Sequence, residues 1–185
     1  LVQHLHSKNF KVSVLVRPRK NLQTEVGEMF GFVPTIVEGD ITLDGCGINS
    51  RALENLTGNI DLIIHAAGKV QYHEQLRNDT YLTNETGTRN CLELASLLQT
   101  RRFLYVSTAY VGGCQAYLGE HEFGRYKYAN NPYESSKQAA EKLVNNWSAG
   151  QAVIVRPSTI RIRIMPSQSQ RNAVSRSLID RILRE

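Results

Sequence analysis

Residues 60–68, Ile60-Asp61-Leu62-Ile63-Ile64-His65-Ala66-Ala67-Gly68, decide how this chain folds. A short, mostly apolar run that ends in small residues suits a strand of a parallel sheet covered on both faces. Four other runs share that character. Lys11 to Arg17 is β-branched and apolar and is followed by a turn-like Pro18, and Val33 to Val37 leads into Glu38-Gly39-Asp40. Arg102 to Ser107 and Ala152 to Arg156 supply the last two. Helical stretches lie between them: Ser50 to Leu56, Asn84 to Leu98 with Cys91, Leu92, Ala95 and Leu98 on one face, and Pro132 to Trp147. Leu1 to Ser7 resembles the end of a helix. Strand and helix alternate throughout, which argues an α/β fold, a doubly wound parallel sheet.

Ligands bind such sheets at the carboxyl ends of the strands. That rule selects Arg17, Asp40, Ala66 to Lys69, Ser107 to Ala109 and Pro157 to Thr159. Nearby, Asn131-Pro132 signals a helix start, an N-cap followed by proline where its missing N–H does no harm. The helix opens with Tyr133-Glu134-Ser135-Ser136-Lys137, so Tyr133 and Lys137 share a face, while Ala140, Leu143, Val144 and Trp147 form the apolar face. A free phenol has a pKa of about 10, and a nearby ammonium favours its phenolate, so Lys137 is expected to tune Tyr133. Val106-Ser107-Thr108-Ala109 adds strand-end hydroxyls that can bind a substrate oxygen, the donor set that carbonyl reduction needs. Two plainer readings compete: Tyr and Lys four apart on any solvated helix, and a Ser/Thr that only caps a turn.

The 185 residues, 41% of them apolar, are enough for one sizeable core. There is no internal repeat and no apolar run long enough to span a membrane. Cys46, Cys91 and Cys114 form an odd set without a CxxC pair. Buried thiols in a reducing cytoplasm are therefore expected, with no disulfide framework or zinc site. Residues 161–185 hold six Arg against Asp180 and Glu185, which is +4 of the net +5. The basic balance thus describes a tail, and no nucleic-acid partner is expected.

Six segments occur in order: Gly39-Asp40-Ile41, His65-Ala66-Ala67-Gly68, Asn84-Glu85-Thr86-Gly87-Thr88, Val106-Ser107-Thr108-Ala109-Tyr110-Val111, Tyr133 to Lys137 with Ala140-Glu141, and Val155-Arg156-Pro157-Ser158. Together they resemble the extended short-chain dehydrogenase/reductase family, with its Rossmann-like sheet, over residues 1–160. Leu15-Val16-Arg17 and Gly39-Asp40-Ile41-Thr42 are most similar to the thioester-reductase and fatty acyl-CoA reductase (male-sterility-type) branch. The resemblance implies that Tyr133 is the proton donor, that Lys137 holds the nicotinamide ribose, and that Thr108, with Ser107 beside it, binds the substrate carbonyl. It implies cofactor contacts from Asp40 and Ile41 to the adenine, from Ala66, Ala67 and Gly68 along the cleft, and from Pro157 and Ser158 near the nicotinamide. Asn84 is implied either in active-site water structure or in a structural role. A ribose 2′-OH calls for an acidic residue after the second strand, whereas Arg17, Arg19 and Lys20 stand here. Cationic donors suit a 2′-phosphate, so NADP(H) is expected over NAD(H), the alternative being an ordinary solvated basic turn. No metal site is expected, and His65 reads as a packed core histidine.

The chain departs from that pattern at both ends. It opens at Leu1, inside the helix after the expected first strand and glycine-rich turn, so the sheet is read as lacking that strand and turn and the start as an internal cut. After residue 160 a divergent basic tail, 161–185, carries an amphipathic stretch with Val174, Leu178, Ile182 and Leu183. A docking helix, a divergent substrate segment and a shifted reading frame all fit it. The expected function is NADPH-dependent reduction of acyl thioesters, CoA- or carrier-protein-bound, to aldehyde or alcohol. The rivals are an NAD-dependent nucleotide-sugar epimerase or dehydratase and a non-catalytic nucleotide-binding fragment.

Overall fold

A computed structural model describes residues 1–115, 119–120 and 128–158. The expected amphipathic tail, 161–185, lies outside the described residues. Two compact units divide the chain, one containing Leu1–Glu38 and the other Gly39–Ser158.

The first unit runs α1 (Val2–Ser7), β1 (Ser13–Val16), α2 (Leu22–Phe30) and β2 (Thr35–Glu38). β1 and β2 are parallel, with Ser13 opposite Thr35 and Val16 opposite Glu38. Leu22 and Val26, one turn apart on α2, are buried along with Leu5 and Val37. Sequence reading passed over α2 because its start carries no capping signal. Asn21 sits there in the left-handed region at φ 57° and its side chain caps nothing. The far end is conventional, with Gly31 at φ 74° in the left-handed position that glycine adopts without strain.

The second unit contains α3 (Ser50–Leu56), β3 (Ile63–His65), α4 (Arg77–Tyr81), α5 (Gly87–Leu97), β4 (Arg102–Val106), α6 (Pro132–Asn145) and β5 (Gln151–Val155). Asn49 caps α3 by accepting a 2.9 Å bond from the Ala52 N–H. β3, β4 and β5 pair in that order and in parallel, with Ile63 opposite Phe103 and Arg102 opposite Gln151. The core lies between this sheet and the helices: Phe103 and Tyr105 from β4, Cys91, Leu92, Leu94 and Ala95 from α5, Ala140 and Val144 from α6. Each large apolar side chain so buried contributes about 1.5–3 kcal/mol.

Each unit has its own all-parallel sheet, β1-β2 in the first and β3-β4-β5 in the second, with helices in the crossovers, as in a doubly wound fold. The α/β, Rossmann-like expectation therefore holds. Four of the five observed strands are a residue or more shorter than the apolar runs that announced them, most visibly β3, where pairing starts only at Ile63, while β5 keeps its length and is shifted by one residue.

Two thiols are buried as expected, Cys46 and Cys91, with sulfurs 3.8 Å apart. Cys114 is exposed instead, its thiol donating to Asn130 Oδ1 at 2.9 Å. It stands at a pinned stem: the Cys114 N–H donates to the Tyr128 carbonyl at 3.2 Å, and Gly113, at φ 55°, lies so close to that carbonyl that a Cβ would collide with it. Among the described residues no helix is long and apolar enough to cross a membrane.

Candidate active site

Strand pairing continues past the ends of β4 and β5 and aligns the site. The Ser107 N–H donates to the Val155 carbonyl at 2.8 Å and the Ala109 N–H to the Pro157 carbonyl at 3.0 Å. Thr108 then caps a single 3₁₀ turn, Ala109–Gly112, by accepting from the Tyr110 N–H at 3.3 Å. Ser107 and Thr108 are both buried.

α6 enters from a tightly bonded corner. Asn131 Oδ1 accepts from the Glu134 N–H at 3.0 Å, the expected N-cap. The Glu134 carboxylate in turn accepts from the Asn130 N–H at 2.7 Å and from the Asn131 amide at 3.0 Å. Tyr133 is thereby fixed half-buried, in hydrogen-bond contact with Thr108 and with the Tyr72 ring edge-on at 6.0 Å between centroids.

Burial raises the Tyr133 phenol above its ordinary value, and the Thr108 hydrogen bond works against that rise. Lys137 does not supply the expected downward pull on it. Its ammonium donates to the Val106 carbonyl at 2.8 Å and lies 4.2 Å over the Tyr105 ring. Burial lowers the pKa of Lys137 to about 8, with Glu141 opposing the fall. The difference from expectation is physical: helical spacing brings the two side chains to one face, but the strand carbonyl and the aromatic ring claim the ammonium.

Asn84 organises the floor. It lies in a π-helical turn, Leu82–Thr86, between α4 and α5, a feature that often marks functional sites. Its Oδ1 accepts from the Lys69 N–H at 2.7 Å, and its Nδ2 donates to the Lys69 carbonyl and to Ser136 Oγ, each at 2.9 Å. Ser136 donates to the Tyr133 carbonyl at 2.8 Å. One buried carboxamide thus joins the segment after β3 to the first turn of α6. Ala66, Ala67 and Gly68 lead into that segment and are exposed.

The other expected cofactor residues are distributed as follows. Asp40 Oδ1 accepts from the Thr42 N–H at 2.9 Å and hydroxyl at 2.8 Å. The carbonyls of Ile41 and Leu43 are held by Asn90 Nδ2 at 2.7 and 2.9 Å. Pro157 is half-buried and Ser158 exposed just beyond β5, while Arg17 is exposed at the end of β1 in the first unit. His65 is a core histidine as read, its Nε2 3.0 Å from Thr88 Oγ1 and its Nδ1 3.7 Å from Cys91 Sγ. Burial, with a smaller contribution from Lys137, drops its pKa to about 3.

Sequence reading missed Asn90, Ser136 and Tyr72. Asn90, an unfavourable residue inside a helix, was the one readable signal, since such a residue needs a reason to be there. The residues present fit a nicotinamide cofactor. Ser107 Oγ is buried with no hydrogen-bond partner among the described residues, and beside it stand a buried ammonium, a half-buried phenol and a stretch of small residues at a strand end.

Fold and site define a Rossmann-like, NAD-binding α/β domain. Within that class the chain belongs to the male sterility protein family, whose pattern matches residues 5–183. It is 26% identical over 112 residues to a fatty acyl-CoA reductase of Drosophila melanogaster, covering 60% of this chain and 22% of the relative. It is 29% identical over 120 residues to an adenylate-forming reductase of Serpula lacrymans, covering 60% and 11%. The chain therefore spans less than a quarter of either relative. Among solved structures, the terminal R domain of the myxalamid PKS-NRPS pathway matches with a TM-score of 0.71 at 23% identity, covering 85% of this chain and 44% of that one. The UDP-glucose 4-epimerase of Stenotrophomonas maltophila matches at 0.64 and 18%, covering 83% and 47%. At such identities these likenesses speak for the fold alone.

Proposed function

We propose that this chain carries the carbonyl-binding and proton-donating part of an NADPH-dependent reductase of acyl thioesters, CoA- or carrier-protein-bound, giving aldehyde or alcohol. The observation that carries the reading is the Tyr133 phenol held against the buried Thr108 hydroxyl, with the Lys137 ammonium fixed one helical turn further on. Membership of a family whose relatives include a fatty acyl-CoA reductase supports the substrate class.

Reduced nicotinamide, when bound, would supply the hydride that the carbonyl carbon accepts. Thr108 and Tyr133 hold the carbonyl oxygen, and as the oxyanion collapses to the aldehyde the carbon–sulfur bond breaks, its electron pair leaving with a thiolate that is protonated by solvent and released as the CoA or carrier thiol. Where the aldehyde is reduced in turn, at the expense of a second NADPH, Tyr133 gives its proton to the alkoxide. A phenol kept protonated by burial is suited to that donation at neutral pH. Lys137 orients the nicotinamide ribose, Ala66 to Gly68, Pro157 and Ser158 line the cofactor cleft, and Asp40 and Ile41 meet the adenine. Arg17, exposed at the end of β1, takes the 2′-phosphate.

The test follows NADPH consumption with a long-chain acyl thioester. Tyr133→Phe is expected to lower turnover by about two to four orders of magnitude, and an undiminished rate would remove the assignment. A sugar nucleotide assayed in parallel distinguishes epimerase chemistry, which consumes no net cofactor.

A further inference from the structure

Two charged residues of the recognised motifs are left without a role by this chemistry: Glu141, one turn beyond Lys137 on α6, and Arg156, just after β5. Glu141 is fully buried, and a carboxylate there is tolerated only when paired and hydrogen-bonded. Arg156 provides both, its Nε reaching Oε1 at 3.0 Å and Oε2 at 3.2 Å, and its Nη2 reaching Oε2 at 2.7 Å. Arg156 Nη1 also donates to the Gly119 carbonyl at 3.3 Å.

We propose that Glu141 is a positioning residue for Lys137: clamped by Arg156, its buried carboxylate is the counter-charge that keeps the Lys137 ammonium charged and seated on the Val106 carbonyl. Its consequence for catalysis rests on the ribose-binding reading of Lys137, but its test does not.

Among the described residues, the groups around Lys137 leave this task to Glu141. From β4 it meets the Tyr105 ring, and Tyr105 stays a neutral phenol because burial raises it. From β3 it faces His65, which burial and the ammonium itself hold neutral. Cys91 on α5 is a protonated thiol, pushed up by its hydrogen bond with Cys46 and by burial. On α6, Tyr133 is a neutral phenol and the Glu134 carboxylate is engaged by Asn130 and Asn131. Tyr110, on the turn after β4, faces Tyr133. Arg156 brings a second cation, directed at the carboxylate. Glu141, buried four residues beyond Lys137 on the same face of α6, is the carboxylate set against the desolvation of that ammonium.

The experiment titrates the Lys137 side-chain carbon by NMR in protein carrying ¹³C-labelled lysine, the resonance being assigned by its loss in Lys137→Arg. Glu141→Gln is expected to lower the Lys137 midpoint by about one pH unit or more. Arg156→Gln is expected to raise it, and the double substitution, which removes both members of the Glu141–Arg156 pair, to fall between the two. Should Glu141→Gln fail to fold, the other two variants carry the test. Midpoints that stay at the wild-type value while unfolding free energy drops would make the pair a structural staple and overturn the proposal, as would a shift of opposite sign.

Discussion

His65 shows what a single side chain does once buried. Its pKa of about 3 in the folded chain, against about 6.5 unfolded, means the unfolded chain takes up a proton that the folded one refuses. Stability from this residue is therefore complete above pH 6.5 and is lost progressively as pH falls from 6.5 toward 3. Between pH 7 and 5.5 the loss amounts to about 1 kcal/mol. Urea unfolding at the two pH values should show it, and His65→Gln should flatten the difference; an equal pH dependence in the variant would contradict the assignment. Tyr133, Lys137 and Thr108 were readable because their spacing in sequence carries their meaning. Where the Lys137 ammonium goes was not, because its acceptor lies 31 residues away on another strand. The same holds for Asn84 and Ser136, 52 residues apart.

Elements were legible where local chemistry agreed with the tertiary outcome. α3 and α6 begin at Asn caps and were bounded nearly as observed, whereas α2, without a side-chain cap, passed unread. α4 was hidden for a related reason: Arg77–Tyr81 is polar, and its continuation through a π-helical turn breaks the 3.6-residue period that betrays a helix. The approach of strands is just as local a matter at Gly150, where the Gln151 N–H meets the Arg101 carbonyl at 2.7 Å and a Cβ on residue 150 would collide with that backbone. Gly150→Ala should destabilise the protein by about 1–3 kcal/mol in denaturant unfolding, with Ser148→Ala, at an exposed position nearby, as a near-silent control. A variant as stable as wild type would count against this close approach of β4 and β5.

For the whole molecule, the sequence correctly implied parallel sheets in an α/β fold, because mostly apolar runs alternating with helices report strands covered on both faces. It also concentrated positive charge outside residues 1–160, which turns attention within them from bulk charge to single cations such as Arg17. Arg17→Ala should weaken NADPH binding by about tenfold, or 1.4 kcal/mol, while leaving NADH binding unchanged. Fluorescence titration with both nucleotides checks this, and parallel losses would argue against a 2′-phosphate contact. The pinned stem at Gly113, Cys114 and Tyr128 bears on how such proteins diversify. Because its two sides are bonded to each other, residues can be added between them at only about 0.6 kcal/mol per doubling of length. Evolution, or a protein engineer, is thus free to graft new specificity there while the tyrosine helix keeps its footing.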